Sequence, residues 1–193
     1  MNDTVSNNNV SFYGGNKTEY FNIELDGRKL FKHSYSIYVI KLENLSYSNY
    51  YYIGQTGDRH YISARPPFLR LSGHLNHRRS STENQIYKGI AEKILKLDWN
   101  SANFKKDINN YLISSKIKMT VFPIIDFDFD AEMNVHKRNR VKVEEIENLL
   151  LIKFADIYGA DVLLNKKISK KKNNYSEDVI EYVNNILDTI EKT

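Results

Sequence analysis

The sequence predicts a single domain that mixes strands and helices, and three features lead to that reading. Two early runs rich in aromatic and β-branched residues, 35–42 and 50–54, have strand character. Apolar residues recur at helical spacing over 83–97 and 141–158. Strand character returns between those helices, over 118–127. At 193 residues, the chain has the length of one domain and can bury roughly 70% of the surface its unfolded state exposes, so it needs neither disulfides nor a structural metal.

In chain order, residues 1–18 combine Asn7-Asn8-Asn9 with Gly14-Gly15 and offer little to bury. They are expected to be disordered or loosely attached. The polar stretch 43–49 is short enough for a hairpin connection between the first two strands. An irregular basic stretch follows and ends in Pro66-Pro67, which opens a helix over 68–75. Over 83–97, Ile86, Ile90, Ile94 and Leu97 share one stripe, and 103–114 is a candidate for a further helix. Pro123 places the strand 118–127 at a sheet edge or on a bulge. The longest helix is expected over 141–158, with Gly159 as its stop. A basic, low-complexity connector, 166–174, leads to a last amphipathic helix over 177–190, with the Ser176 hydroxyl capping its first amides.

Composition excludes several classes. With no cysteine, disulfide scaffolds, zinc fingers, iron–sulfur sites and thiol catalysis are out, and a reducing, cytoplasmic setting is expected. Residues 1–17 lack the apolar segment of a signal peptide, and no run approaches the ~20 apolar residues of a membrane span. The net charge of +4 mildly favours an acidic partner.

Three constellations carry chemistry. Tyr38 and Tyr52 lie in the two early strands, where their phenols can converge on one sheet face; an ordinary half-buried strand tyrosine also accounts for each. Arg70 and His74, four apart on a helix, share a face that suits phosphodiester chemistry: the guanidinium holds a phosphate and the imidazole handles a proton. A solvated helix face is the bland alternative, and His77, Arg78 and Arg79 extend the same basic strip. Glu147 has Val143, Leu150, Leu151 and Phe154 at −4, +3, +4 and +7, so it points into the apolar stripe. A carboxylate there needs a partner such as a divalent cation, or a lysine at the stripe's edge. Glu144 and Glu145 compete for the role if the helix phase differs by a residue.

Weaker candidates are set aside. The alternating Asp126, Asp128 and Asp130 fit a solvated strand end, because Ala131 and Lys137 break the EF-hand pattern. His74 and His77 find no third metal ligand in register. Lys166, Lys167, Lys170, Lys171 and Lys172 read as a soluble linker that, beside a nuclease site, becomes a phosphate-tracking strip.

Taken together, the pattern resembles the GIY-YIG nuclease family. Ser36-Ile37-Tyr38-Val39-Ile40 is similar to the first half of the name motif and Tyr52-Ile53-Gly54-Gln55-Thr56 to the second. Arg70 with His74 one turn later, Glu147 within an apolar helix, and Leu163-Leu164-Asn165 match the later motifs in order. Ser36 departs from the family's first glycine, and the intervals 52–70 and 147–165 exceed those of compact members, a feature similar to the restriction-enzyme branch.

The resemblance implies an α+β fold, with a small antiparallel three-stranded sheet flanked by helices, plus helical and loop insertions. It divides the chain into a lead (1–34), a nuclease core (35–167) and a basic connector with a C-terminal helix (168–193). The activity implied is metal-dependent hydrolysis of double-stranded DNA, most simply by a stand-alone type II restriction endonuclease. Repair or mobile-element nucleases and a binding module without cleavage are the alternatives. Glu147 would hold one Mg²⁺ or Mn²⁺ and Arg70 would neutralise transition-state charge. Tyr38 would orient or deprotonate water with His74 as the proton's next stop, Tyr52 would bond the phosphate or the water, and Asn165 would buttress the site. Arg65, His77, Arg78, Arg79 and the connector lysines are the expected DNA contacts. No membrane partner is implied, and a homodimer is allowed.

Overall fold

The computed structural model describes residues 11–13, 20–22, 26–77, 84–166, 168 and 174–192. The fold is α+β. Its sheet has three antiparallel strands, β3 (Ser34–Asn44), β4 (Tyr50–Gln55) and β5 (Ser115–Asp126), with β3 in the centre. Ahead of the sheet, β1 (Ser11–Tyr13) pairs antiparallel with β2 (Tyr20–Asn22), and α1 (Gly27–Leu30) follows. Part of the lead expected to be loose is therefore a paired ribbon; the rest of 1–18 lies outside the described residues.

The central strand is buried on both faces, which is why its sequence reads as an almost unbroken apolar and aromatic run. Tyr35, Ile37 and Val39 point to one face, where they pack with α5 (Met133–Tyr158) and α6 (Glu177–Glu191). Tyr38, Ile40 and Leu42 point to the other. There they meet Ile86 and Tyr87 of α3 (Gln85–Gly89), Ile90 and Ile94 of the π-helical turn Ile90–Ile94, and Phe104 and Ile108 of α4 (Phe104–Ile113). Because side chains alternate along a strand, a one-residue shift in register would exchange these two cores.

Pro123 lies on the edge strand opposite Ser36, and the β3–β5 register slips between Tyr35 and Ser36. Edge and bulge thus coincide at the residue that cannot donate a ladder bond. Helix α2 (Pro67–His74) opens at the Pro66-Pro67 pair as expected. The stripe expected over 83–97 ends earlier: the helix widens into the π turn and stops at Ile94, two residues before Lys96 takes a left-handed φ of 50°. Helix α5 begins eight residues before the expected start, because Lys137, Arg138 and Asn139 hide the periodicity of its first turns. Gly159, at φ 92°, ends it, and the 3₁₀ turn Ala160–Val162 follows. Ser176 stands at the N-cap of α6, but its hydroxyl bonds the Asp178 carboxylate and caps no amide. Among the described residues no helix is long and apolar enough to cross a membrane.

Candidate active site

The site is built on the β3–β4 pair. Strand register sets Tyr38 opposite Gly54 and Ile40 opposite Tyr52, so both phenols project from one face, with ring centroids 6.3 Å apart. The Tyr38 head lies directly over the Gly54 Cα. A methyl group built there would overlap the hydroxyl oxygen and come within 2.6 Å of Cζ, so only glycine admits the ring.

Helix α2 brings its i, i+4 pair onto that phenol. Arg70 donates to the Tyr38 hydroxyl from Nε (3.2 Å) and from a terminal nitrogen (3.0 Å), and His74 Nε2 lies 2.7 Å from the same oxygen. A guanidinium only donates. The neutral phenol therefore accepts twice and gives its own proton to His74 Nε2, which sets the proton of neutral His74 on Nδ1. His74 is buried and its ring centroid stands 4.5 Å from that of Tyr52.

Burial pushes the Tyr38 phenol up to about 12 against the pull of Arg70, and pushes Tyr52 well above its ordinary value. Both phenols stay protonated at neutral pH. Glu147, on α5, acts on both phenols through its charge. Crowding by protein atoms raises its carboxyl to about 7, opposed by Arg70 and Arg140 and reinforced by the negative Glu144. The residue as a whole is partly buried. Of the three candidate glutamates, Glu147 is the one that couples electrically to Tyr38 and Tyr52. Glu144 is hydrogen-bonded by Arg140 and lies 3.5 Å from Arg59.

Asn165 sits behind the strand. Its Nδ2 donates to the Ile53 carbonyl (2.7 Å) and its Oδ1 accepts from the Ile53 amide (3.0 Å), so the side chain acts as one more strand residue beside Tyr52 and Gly54. Ser36 is fully buried, its amide donates to Thr56 Oγ1 (2.9 Å) and its hydroxyl meets that of Ser34 (2.6 Å).

Of the expected DNA contacts, Arg65 is partly buried, lies 3.8 Å from Asp58 and lowers the Tyr38 pKa through its charge. His77 is exposed just past α2, and exposed Lys166 lies 3.6 Å from Glu92. Arg78, Arg79, Lys167, Lys170, Lys171 and Lys172 lie outside the described residues. Among the described residues no three His, Asp or Glu side chains cluster as a metal site.

Two residues carry structure that sequence reasoning did not single out. Lys93 donates to the carbonyls of Leu163 (2.6 Å) and Asn165 (2.9 Å), and burial lowers its pKa. His136 is fully buried, with Nδ1 2.7 Å from the Tyr35 hydroxyl and Nε2 2.9 Å from the Asp58 carbonyl. A signal for His136 existed: it stands 7 and 14 residues before Val143 and Leu150, on the same helical stripe. Lys93 had none, because its partners are main-chain atoms. No family model, no curated protein and no solved structure matches this chain.

Proposed function

We propose that the protein is a metal-dependent DNA endonuclease of the GIY-YIG type, acting as a stand-alone restriction enzyme. The observation that carries this reading is the single phenol oxygen of Tyr38, gripped by Arg70 and His74 beside a glutamate whose ionisation is poised near neutrality. A structural tyrosine does not need three hydrogen bonds from two polar side chains in an apolar core, whereas perturbed titratable groups that act on one another are the usual mark of a reaction centre.

The donor set suits a magnesium-class ion. One or two carboxylates, with water and substrate phosphate completing the shell, are how Mg²⁺ is ordinarily held, since it keeps several waters. Glu147 would be its protein ligand, while Glu144 is engaged by two arginines. When bound, the ion supplies charge neutralisation at the leaving oxygen.

The remaining chemistry belongs to the side chains. Without substrate, Arg70 and His74 fill the coordination of the Tyr38 oxygen, leaving no place for a nucleophile. A phosphodiester competes for the guanidinium because a charge-assisted, two-pronged contact is stronger than two bonds to a neutral phenol. As Arg70 turns to the phosphate, the Tyr38 oxygen gains room for one water. That water loses its proton to Tyr38 while the phenol proton moves to His74 Nε2, so the charge appears as imidazolium. A phenolate is never fully formed, which accommodates a Tyr38 pKa near 12. The hydroxide so formed adds to phosphorus as the opposite P–O bond breaks, the leaving oxygen takes up a proton from solvent, and Arg70 stays on the charge that builds on the phosphoryl oxygens.

Closed circular plasmid DNA incubated with the protein tests the reading. Cleavage with Mg²⁺ that stops with EDTA supports it; intact plasmid under both conditions, across diverse sequences, refutes it.

A further inference from the structure

Residues 57–64 form a loop whose base is locked and whose tip is bare. At the base, Gly57 bridges Ala64, the Asp58 amide donates to the Ser63 carbonyl (2.8 Å), and the Arg65 amide donates to the Thr56 carbonyl (3.1 Å). His136 donates to the Asp58 carbonyl (2.9 Å), which ties the loop to α5. The Asp58 carboxylate accepts from the amides of His60 (2.8 Å) and Tyr61 (3.2 Å) and lies 3.8 Å from Arg65, so the loop's own negative charge is held at its base. The four residues Arg59 to Ile62 are exposed; Tyr61 is 73% exposed and Ile62 38%.

A large aromatic held out on a rigid support gains no burial within the chain, and its ordering is already in place for a partner. The tip offers an aromatic ring and an aliphatic side chain next to Arg59 and His60, with no free carboxylate. That composition fits a polyanion with flat apolar surfaces between its charges. The loop is also linked to the site: Arg59 lies 3.5 Å from Glu144, whose charge acts on Glu147, and Arg65, just past the base, acts on the Tyr38 phenol. From Asp58 to Tyr61 the chain spans at most about 10 Å at ~3.3 Å per residue, the scale of the ~8 Å depth of a duplex groove.

Resting on the nuclease reading, we propose that this loop is a wedge that enters the DNA beside the scissile phosphate. Tyr61 stacks on an unstacked base step, Ile62 backs it, and Arg59 contacts the flanking phosphate. Loss of stacking between base pairs is repaid by contact with the ring, as with other apolar side chains that kink a duplex.

The test uses the full-length Glu147→Gln protein and a duplex taken from around a mapped wild-type cleavage site, with 2-aminopurine next to the scissile step. Binding should raise its fluorescence several-fold. Tyr61→Ala in that background should abolish the rise and weaken binding by roughly 10-fold, with an unchanged salt slope and an unchanged melting temperature. Tyr61→Phe should keep the rise, and Arg59→Ala should reduce the salt slope by about one phosphate. A duplex that wild type cuts and that the Glu147→Gln protein binds without a fluorescence rise, or with the same rise in Tyr61→Ala, overturns the wedge alone. So does a Tyr61→Ala variant that turns a dimer into a monomer and binds DNA normally, because the tip would then be an interface between copies. A wild-type protein that neither binds nor cuts DNA removes the nuclease reading and the wedge together.

Discussion

Replacing Glu147 by glutamine should stabilise the folded protein while abolishing its activity. Crowding raises the Glu147 carboxyl from 4.5 to about 7, so the folded state binds the proton more tightly than the unfolded chain does. Stability is then greatest below about pH 4.5, declines as pH rises towards 7, and levels off above it. At 1.36 kcal/mol for each tenfold change in proton affinity, keeping the carboxylate ionised costs on the order of 3 kcal/mol at neutral pH. Glutamine has the same shape and no charge to desolvate, so the variant escapes that cost. For a chain of this size, each kcal/mol moves the melting temperature by ~2–4 °C. The variant should melt roughly 6–12 °C above wild type at pH 8 and close to it at pH 5. Thermal unfolding by circular dichroism from pH 5 to 8.5, with EDTA present, measures both curves. Adding Mg²⁺ should raise the wild-type curve at high pH and leave the variant unmoved. Parallel curves for the two proteins would refute the reasoning, because Glu147 would then ionise without strain.

Further perturbations separate the parts of the site. Gly54→Ala drives a methyl group into the Tyr38 head; it should lower stability by ~1–3 kcal/mol in urea melts and cut the single-turnover rate more than tenfold, and a normal rate would deny the close approach. Asn165→Ala leaves the Ile53 amide and carbonyl without their partner; it should cost about 1–3 kcal/mol, while the rate of the folded fraction falls less than in Tyr38 variants. Tyr35→Phe breaks the other phenol–histidine pair, on the opposite sheet face; it should cost ~1 kcal/mol and leave cleavage unchanged, and a large loss of activity would show that the two pairs are not separate.

Much of the sheet and half of the site were legible because their signals are local. Alternation in 35–42 and 50–54 placed both phenols on one face, and the four-residue spacing of Arg70 and His74 carried both onto Tyr38. The apolar neighbours of Glu147 marked a carboxylate in the wrong surroundings, and its raised pKa is the physical expression of that placement. What stayed hidden depends on distant pairings. The helical stripe could have marked His136 as buried, but its partners, a tyrosine 101 residues earlier and a main-chain carbonyl, leave no trace in periodicity. The loop carrying Tyr61 read as irregular and basic, because its order comes from Asp58 folding back on its own amides. Ser176 occupied the expected cap position, yet Asp178 two residues later drew its hydroxyl away, a competition that capping rules do not weigh.

The central claim is that the Tyr38 hydroxyl, held by Arg70 and His74, works on the nucleophile. Single-turnover cleavage of plasmid DNA at saturating protein, comparing wild type with Tyr38→Phe, tests it most directly because substrate binding drops out of the rate. Phenylalanine keeps the buried ring and removes one oxygen. The account predicts that wild type cleaves with Mg²⁺ and that the variant folds and binds DNA but cleaves ~10²-fold more slowly. A wild type that leaves DNA intact, or a variant that cleaves at the wild-type rate, would contradict it.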